Sequence, residues 1–208
     1  LRSGLIERSR SSSRCHWVKS CHNEPMMMQG FEKKANPNED AGFILASGSP
    51  RRRDLLSEAG LSFQIISPDI DELSGDGYSP RDLALTNARL KCMAVSEEKP
   101  ESMVIGADTV VTLSGKIYGK PIDLEEAAEN LRVFSGRIHE VLTGVVLSCG
   151  DQRAEFVSTS FVKFRELNER DIEDYLSKVY VLDKAGGYAA QEHRELIIEK
   201  FEGDYQNI

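Results

Sequence analysis

From Phe43 onward, short apolar runs and amphipathic stretches alternate, each bounded by glycine, proline or a capping residue. Phe43-Ile44-Leu45-Ala46 has the length and composition of a buried strand. Ser47-Gly48-Ser49-Pro50 then turns the chain, with Ser49 placed to N-cap a helix and Pro50 at its first position. Leu55, Leu56 and Ala59 supply an apolar face for that helix, and Gly60 ends it. A second strand is expected over 63–66, followed by an acidic, glycine-containing loop over 69–77. Ser79-Pro80 repeats the cap-and-proline device and opens a helix that reaches Ser96. Strand patterns return at 103–107 and 109–113, on either side of Asp108, with Ser114-Gly115 as a hairpin turn. Asp123-Leu124-Glu125-Glu126 reads as a capping box for a helix ending at Phe134. Two longer strands are expected at 138–147 and 155–164, then a helix over 169–177 capped by Asn168, and a last strand at 196–201. Interspersed strands and helices define an α/β fold, and the hairpin over 138–164 makes its sheet mixed.

The first 41 residues lack this patterning. They are rich in Ser, Arg and Met and have no apolar core of a secretory signal. They read as a disordered or mis-started leader, with Met26, Met27 and Met28 as candidate start residues and Leu1 as an incomplete beginning. Residues 42–208 form the expected folded domain.

At 208 residues, 40% hydrophobic and 29% charged, the chain is long enough to bury one core. No apolar run approaches the roughly 20 residues that span a membrane. The net charge is −8, yet residues 1–22 carry five basic groups and one acid, which leaves −12 on the rest. An acidic body opposes nonspecific nucleic-acid binding, which rests on neutralising phosphates with Lys and Arg. It leaves room for a local anion site. The four cysteines are scattered without a CxxC pair, which argues against a disulfide scaffold or zinc site and for a reducing compartment, the cytoplasm.

Ser47-Gly48-Ser49-Pro50-Arg51-Arg52-Arg53 puts hydroxyls and three arginines at a helix N-terminus. Free backbone N–H groups and the helix dipole already favour an anion there, and a stability-only design would place acids. A phosphate site and a solvated basic cap both fit this spacing. Asp108 interrupts a strand built for burial, so it needs a partner: a metal, an attacking water or a backbone cap. Lys91, Lys120, Asp71, Glu72 and Gln191 are individually ordinary surface residues, although paired acids can hold Mg²⁺ and an amide can read a base edge. Neither GxSxG nor GxxxxGK[ST] occurs. His139 and His193 have no catalytic neighbours in sequence and read as structural or exposed.

In order, Leu45-Ala46-Ser47-Gly48-Ser49-Pro50-Arg51-Arg52, Asp71-Glu72, Lys91, Gly106-Ala107-Asp108-Thr109, Gly119-Lys120-Pro121, Phe134-Ser135-Gly136, Leu182 through Tyr188 and Gly203-Asp204-Tyr205 resemble the Maf family of nucleoside triphosphate pyrophosphatases. The resemblance covers nearly everything from residue 43 to the end. It implies hydrolysis between the α- and β-phosphates of a nucleotide. It also implies a two-lobed mixed sheet flanked by helices with the cleft between lobes, a Mg²⁺ or Mn²⁺ cofactor, and a homodimer. By motif position, Asp108 resembles the catalytic acid/base and a metal-side ligand with Glu72. Ser49, Arg52, Lys91 and Lys120 resemble the phosphate binders. Arg51, Thr109 and Gln191 resemble the specificity residues of the branch acting on dTTP and UTP. The same chemistry on 7-methyl-GTP or ITP is the within-family alternative, and a noncatalytic nucleotide-binding regulator of cell division is the other. After Gln191 the chain runs Glu192-His193-Arg194-Glu195 where the family usually has glycines, and the family pattern continues beyond Ile208, so a truncated C-terminus is expected.

Overall fold

The apolar run Phe43–Ala46 forms strand β1 in a computed structural model that describes residues 43–75 and 77–208. Helix α1 (Pro50–Glu58) and strand β2 (Phe63–Ile65) follow, then helix α2 (Pro80–Ser96). Strand β3 (Met103–Leu113) turns through Ser114 and Gly115, both at positive φ, into β4 (Lys116–Tyr118). Two left-handed residues at the tip of a tight hairpin match the twist of the flanking strands. Helix α3 (Leu124–Phe134), the long strands β5 (Ile138–Cys149) and β6 (Gln152–Phe164), and helix α4 (Glu169–Lys178) complete the larger part. A short helix α5 (Arg194–Ile197) leads into β7 (Ile198–Glu202), and a 3₁₀ turn, Tyr205–Asn207, closes the chain. The leader expected over residues 1–41 lies outside the described residues.

Seven strands form one mixed sheet in the order β2-β1-β3-β5-β6-β7, with β4 also on β3. β1 runs parallel to β2 and β3, and the remaining pairs are antiparallel. One face packs on α2 through Ile44, Ala46, Val104 and Val146. The other carries the larger cluster, in which Leu131 and Phe134 of α3 and Ile172 and Tyr175 of α4 meet Val111, Val141, Val162 and Phe164. The expected lobes are thus two ends of one continuous sheet, covered on opposite faces. Among the described residues no helix is long and apolar enough to cross a membrane.

α2 lies close on the sheet because Gly106 and Gly144 leave it room. A Cβ on Gly144 would come within 2.5 Å of the Ala84 carbonyl oxygen, and one on Gly106 within 2.5 Å of the Ala88 carbonyl oxygen. This contact sets the height of α2 above β3, and so the reach of α2's polar side chains.

Five expectations need correction. Asp123 caps α3, but Glu126 Oε2 accepts from the Ile122 N–H at 2.7 Å rather than from the N-cap N–H, so the expected capping box is half made. β3 runs unbroken through Asp108, because Asp108 pairs across to Gly144 in the ladder and its carboxylate finds partners on α2. α1 buries none of its residues: Leu55 and Leu56 are only half-covered and Ala59 is exposed, since this mostly charged helix sits at the rim of the sheet. Ser49 occupies the N-cap position without a side-chain cap, and its N–H donates to Ser47 Oγ at 3.3 Å instead. The last strand begins at Ile198, because residues 194–197 make a helical turn that buries Ile197.

Candidate active site

β1 pairs with β3 only as far as Ala46 opposite Gly106, and β4 pairs with β3 from Tyr118 opposite Val111. Between those neighbours the β3 edge is open over residues 107–110. Strand alternation sends Asp108 to the α2 face and Thr109 to the other. A cleft of about 1150 Å³ straddles this edge. That volume accommodates a nucleotide-sized ligand. Arg51, Arg52, Lys91, Lys116, Lys120 and Lys184 line it against three carboxylates, so an acidic protein has a locally cationic cleft.

On the α2 face, Lys91 Nζ lies 2.6 Å from Asp108 Oδ1 and 2.9 Å from Glu72 Oε1. Asp108 and Lys91 are each 8% exposed, so each buried charge is stabilised by the other, with Glu72 as a second partner of Lys91. Asn87, one helical turn before Lys91, donates to Asp108 Oδ2 at 3.3 Å. Burial pushes the Glu72 carboxyl up, but the Lys91 hydrogen bond and charge, with Lys120 and Arg52 further off, outweigh it and hold Glu72 below the usual carboxylate range.

On the other side of the edge, Arg52 Nη1 donates to Ser47 Oγ and to the Ala107 carbonyl, both at 2.9 Å, and its Nη2 donates to Thr109 Oγ1 at 3.0 Å. The guanidinium therefore closes part of the open strand edge. Thr109 shares a further 2.9 Å hydrogen bond with Thr143 Oγ1. Burial lowers the Arg52 pKa, and the charges of Asp108 and Glu72 offset part of that effect. Arg51 Nη2 donates to Gln206 Oε1 at 2.6 Å, while its buried Nε finds no acceptor among the described residues.

The nine residues to which the resemblance gives a role, Ser49, Arg51, Arg52, Glu72, Lys91, Asp108, Thr109, Lys120 and Gln191, line this one cleft. They reach it from β1–α1, the 69–77 loop, α2, β3, the segment after β4 and the loop before α5. Lys120 and Gln191 stand exposed at the cleft wall, and Asp71 is exposed outside its lining. Sequence reading missed Asn87, Thr143 and Gln206. Asn87 carried a signal, an amide on the same helical stripe as Ala84, Ala88 and Lys91. Gln206 carried none, because its partner is 155 positions away.

Among the described residues no group of three or more His, Cys, Asp or Glu is arranged to hold a metal ion. Glu72 and Asp108 nevertheless converge on a single ammonium, so their carboxylate oxygens share one patch of cleft wall. Two carboxylates completed by substrate phosphates and water are the usual surroundings of Mg²⁺, and the donor set fits such an ion. 

The Maf-like protein family model matches residues 42–208. A dTTP/UTP pyrophosphatase of Akkermansia muciniphila is 48% identical over 165 residues, 79% of this chain and 87% of that protein. One of Clostridioides difficile is 45% identical over 167 residues, 79% of this chain and 86% of that protein. One of Bacillus cytotoxicus is 42% identical over 166 residues, 80% of this chain and 87% of that protein. With the motifs in order around one cleft and a match spanning the whole described fold, the chain belongs to the Maf family.

Proposed function

We propose that this protein is a nucleoside triphosphate pyrophosphatase that hydrolyses dTTP and UTP to the monophosphate and pyrophosphate. The observation that carries the reading is a fixed carboxylate, Asp108, on an open strand edge inside a cationic, nucleotide-sized cleft. The names borne by relatives at 42–48% identity support the choice of substrates.

In the proposed mechanism, Ser49, Arg52, Lys91 and Lys120 neutralise and orient the triphosphate, so little charge must be reorganised as the bond breaks. Asp108 accepts a proton from a water molecule. That water forms a bond to the α-phosphorus, and the bond from this phosphorus to the α–β bridging oxygen breaks. Pyrophosphate leaves with the electron pair. The Lys91 ammonium and Asn87 amide hold one Asp108 oxygen each, so the carboxylate does not rotate away from the water. Glu72 and Asp108 would hold a Mg²⁺ or Mn²⁺ ion, which supplies charge neutralisation at the phosphates. Arg51, Thr109 and Gln191 are assigned to the base. A pyrimidine presents carbonyl and N–H edges, and the Arg51 guanidinium, Thr109 hydroxyl and Gln191 amide at the cleft wall are groups that can pair with them. The assigned setting is the cytoplasm, with two copies of the chain as the working unit.

Pyrophosphate release from dTTP, UTP, CTP, ITP and 7-methyl-GTP, with Mg²⁺ or with EDTA, tests this reading. Metal-dependent release from dTTP and UTP is the expected result. Release confined to 7-methyl-GTP or ITP would keep the chemistry and overturn the base assignment. Binding without release would make the protein a nucleotide-binding regulator.

A further inference from the structure

Asn87 is 3% exposed and makes three hydrogen bonds through one small amide. Its Oδ1 accepts from the Leu73 N–H at 2.9 Å, and its Nδ2 donates to the Leu73 carbonyl at 3.3 Å and to Asp108 Oδ2 at 3.3 Å. The two Nδ2 hydrogens are thereby both used, one for each acceptor. Leu73 is the residue after Glu72. The backbone of the acidic loop is therefore clamped, on both its N–H and its C=O, by the side chain that also touches the catalytic carboxylate.

We infer that Asn87 is a positioning residue: it ties the Glu72-bearing loop and the Asp108 carboxylate into one arrangement so that both acids meet at Lys91. The inference rests on the pyrophosphatase reading above. An exposed loop carrying a half-open carboxylate has few contacts of its own to fix it. Leu73 packs beside Leu83, Ala84 and Val110, which anchors the loop's depth, and the Asn87 clamp fixes its register over α2. Lys91 then holds Glu72 Oε1 and Asp108 Oδ1 on one ammonium, and Asn87 holds the other Asp108 oxygen. Both Asp108 oxygens retain a lone pair for water or metal. Only an amide of this length offers two donors and an acceptor here. A carboxylate has no donor and a hydroxyl has one.

The test compares the full chain with Asn87→Asp and Asn87→Ala. The Asp variant keeps the acceptor for the Leu73 N–H and loses both donors, whereas the Ala variant loses all three bonds. With dTTP and Mg²⁺, kcat is expected to fall about 10–100-fold in both, with KM within about threefold of the parent. Agreement between the neutral and the charged variant separates loss of the donor from added charge. Amide hydrogen exchange at Leu73 in nucleotide-free protein is expected to accelerate at least about tenfold in the Ala variant and to stay near the parent in the Asp variant. Should the Ala variant fail to fold, the neutral Asn87→Ser, whose single short hydroxyl cannot replace the amide's three bonds, takes its place. A kcat within about twofold of the parent in the Asp variant overturns the inference. So does fast exchange with unchanged kcat in the Ala variant, which would leave Asn87 holding the loop and nothing more. A parent that turns over no triphosphate overturns the functional reading and this inference together, while an active parent with unaltered variants overturns the inference alone.

Discussion

Gln206 Oε1 accepts a 2.6 Å hydrogen bond from Nη2 of Arg51, joining the terminal 3₁₀ turn to the first helix across the cleft. The bond fixes one end of the guanidinium and leaves the buried Nε–H without an acceptor. Held this way, the guanidinium lines the cleft as a charged group for a ligand carbonyl or phosphate oxygen. Gln206→Ala frees the guanidinium, and the expected result is a loss of about tenfold in the dTTP-over-CTP ratio of kcat/KM. Arg51→Ala should raise the KM for dTTP by at least that factor. Because this pair is solvent-exposed, Tm should barely move in either variant. A fall in Tm that matches the loss of selectivity would return Arg51 to the role of a structural basic cap.

Asp108→Asn removes the proposed proton acceptor and one partner of a buried ammonium at once. Turnover should fall by about 10³ or more, while nucleotide KM stays within about threefold. Lys91 keeps Glu72 as a partner, so the stability cost should be about 2 kcal/mol, below that of an uncompensated buried charge. Steady-state kinetics beside a urea melt separates the two effects. Retained kcat would remove Asp108 from the chemistry.

The strands, the three capped helices and most cleft residues were legible because each has a local cause. Asn168 and Asp171 form the capping box of α4, and Ser79 and Asp123 cap α2 and α3, as their spacing implies. Asp108 stood out as a charge inside an apolar strand. What resisted reading was set by tertiary neighbours. Nothing local indicates that β1 ends two residues short of Asp108's level, so the open edge over 107–110 could not be foreseen. Nor does the sequence show that the Thr109 hydroxyl also contacts Arg52 and Thr143, or that Arg52 braces a strand carbonyl as well as facing the cleft. α1 misled because Leu55 and Ala59 lie one helical turn apart beside Leu56, yet the helix has only the rim of the sheet to pack on.

Gly144 sits opposite Asp108 in the ladder and beneath α2. In Gly144→Ala the new methyl would meet the Ala84 carbonyl oxygen at 2.5 Å and the Leu85 nitrogen at 2.7 Å, both backbone atoms that cannot rotate aside. α2 must lift, carrying Asn87 and Lys91 away from Asp108. The expected outcome is a loss of about 1–3 kcal/mol in stability together with a fall in kcat larger than any change in KM. A variant as stable and as active as the parent would show that α2 adjusts without disturbing the site.

His139 lies 1% exposed among Phe134, Phe164 and Tyr188, and its Nε2 shares a 2.8 Å hydrogen bond with the Tyr188 hydroxyl. Burial in this aromatic cluster lowers its pKa from 6.5 to about 4. The unfolded chain therefore binds a proton near pH 6.5 that the folded chain refuses until about pH 4. Stability from this group is complete above pH 6.5 and declines as pH falls toward 4, by roughly 3 kcal/mol in all. His139→Phe removes the titrating ring while filling most of its space. It should cost stability at pH 8, through the lost Tyr188 partner, yet flatten the decline in Tm between pH 6.5 and 4.5. Tyr188 lines the cleft, so the same variant should also alter nucleotide KM more than a remote core substitution of equal stability cost. Thermal melts at half-unit pH steps decide the first point: an acid slope equal to the parent's would mean that other groups, not His139, govern unfolding in that window.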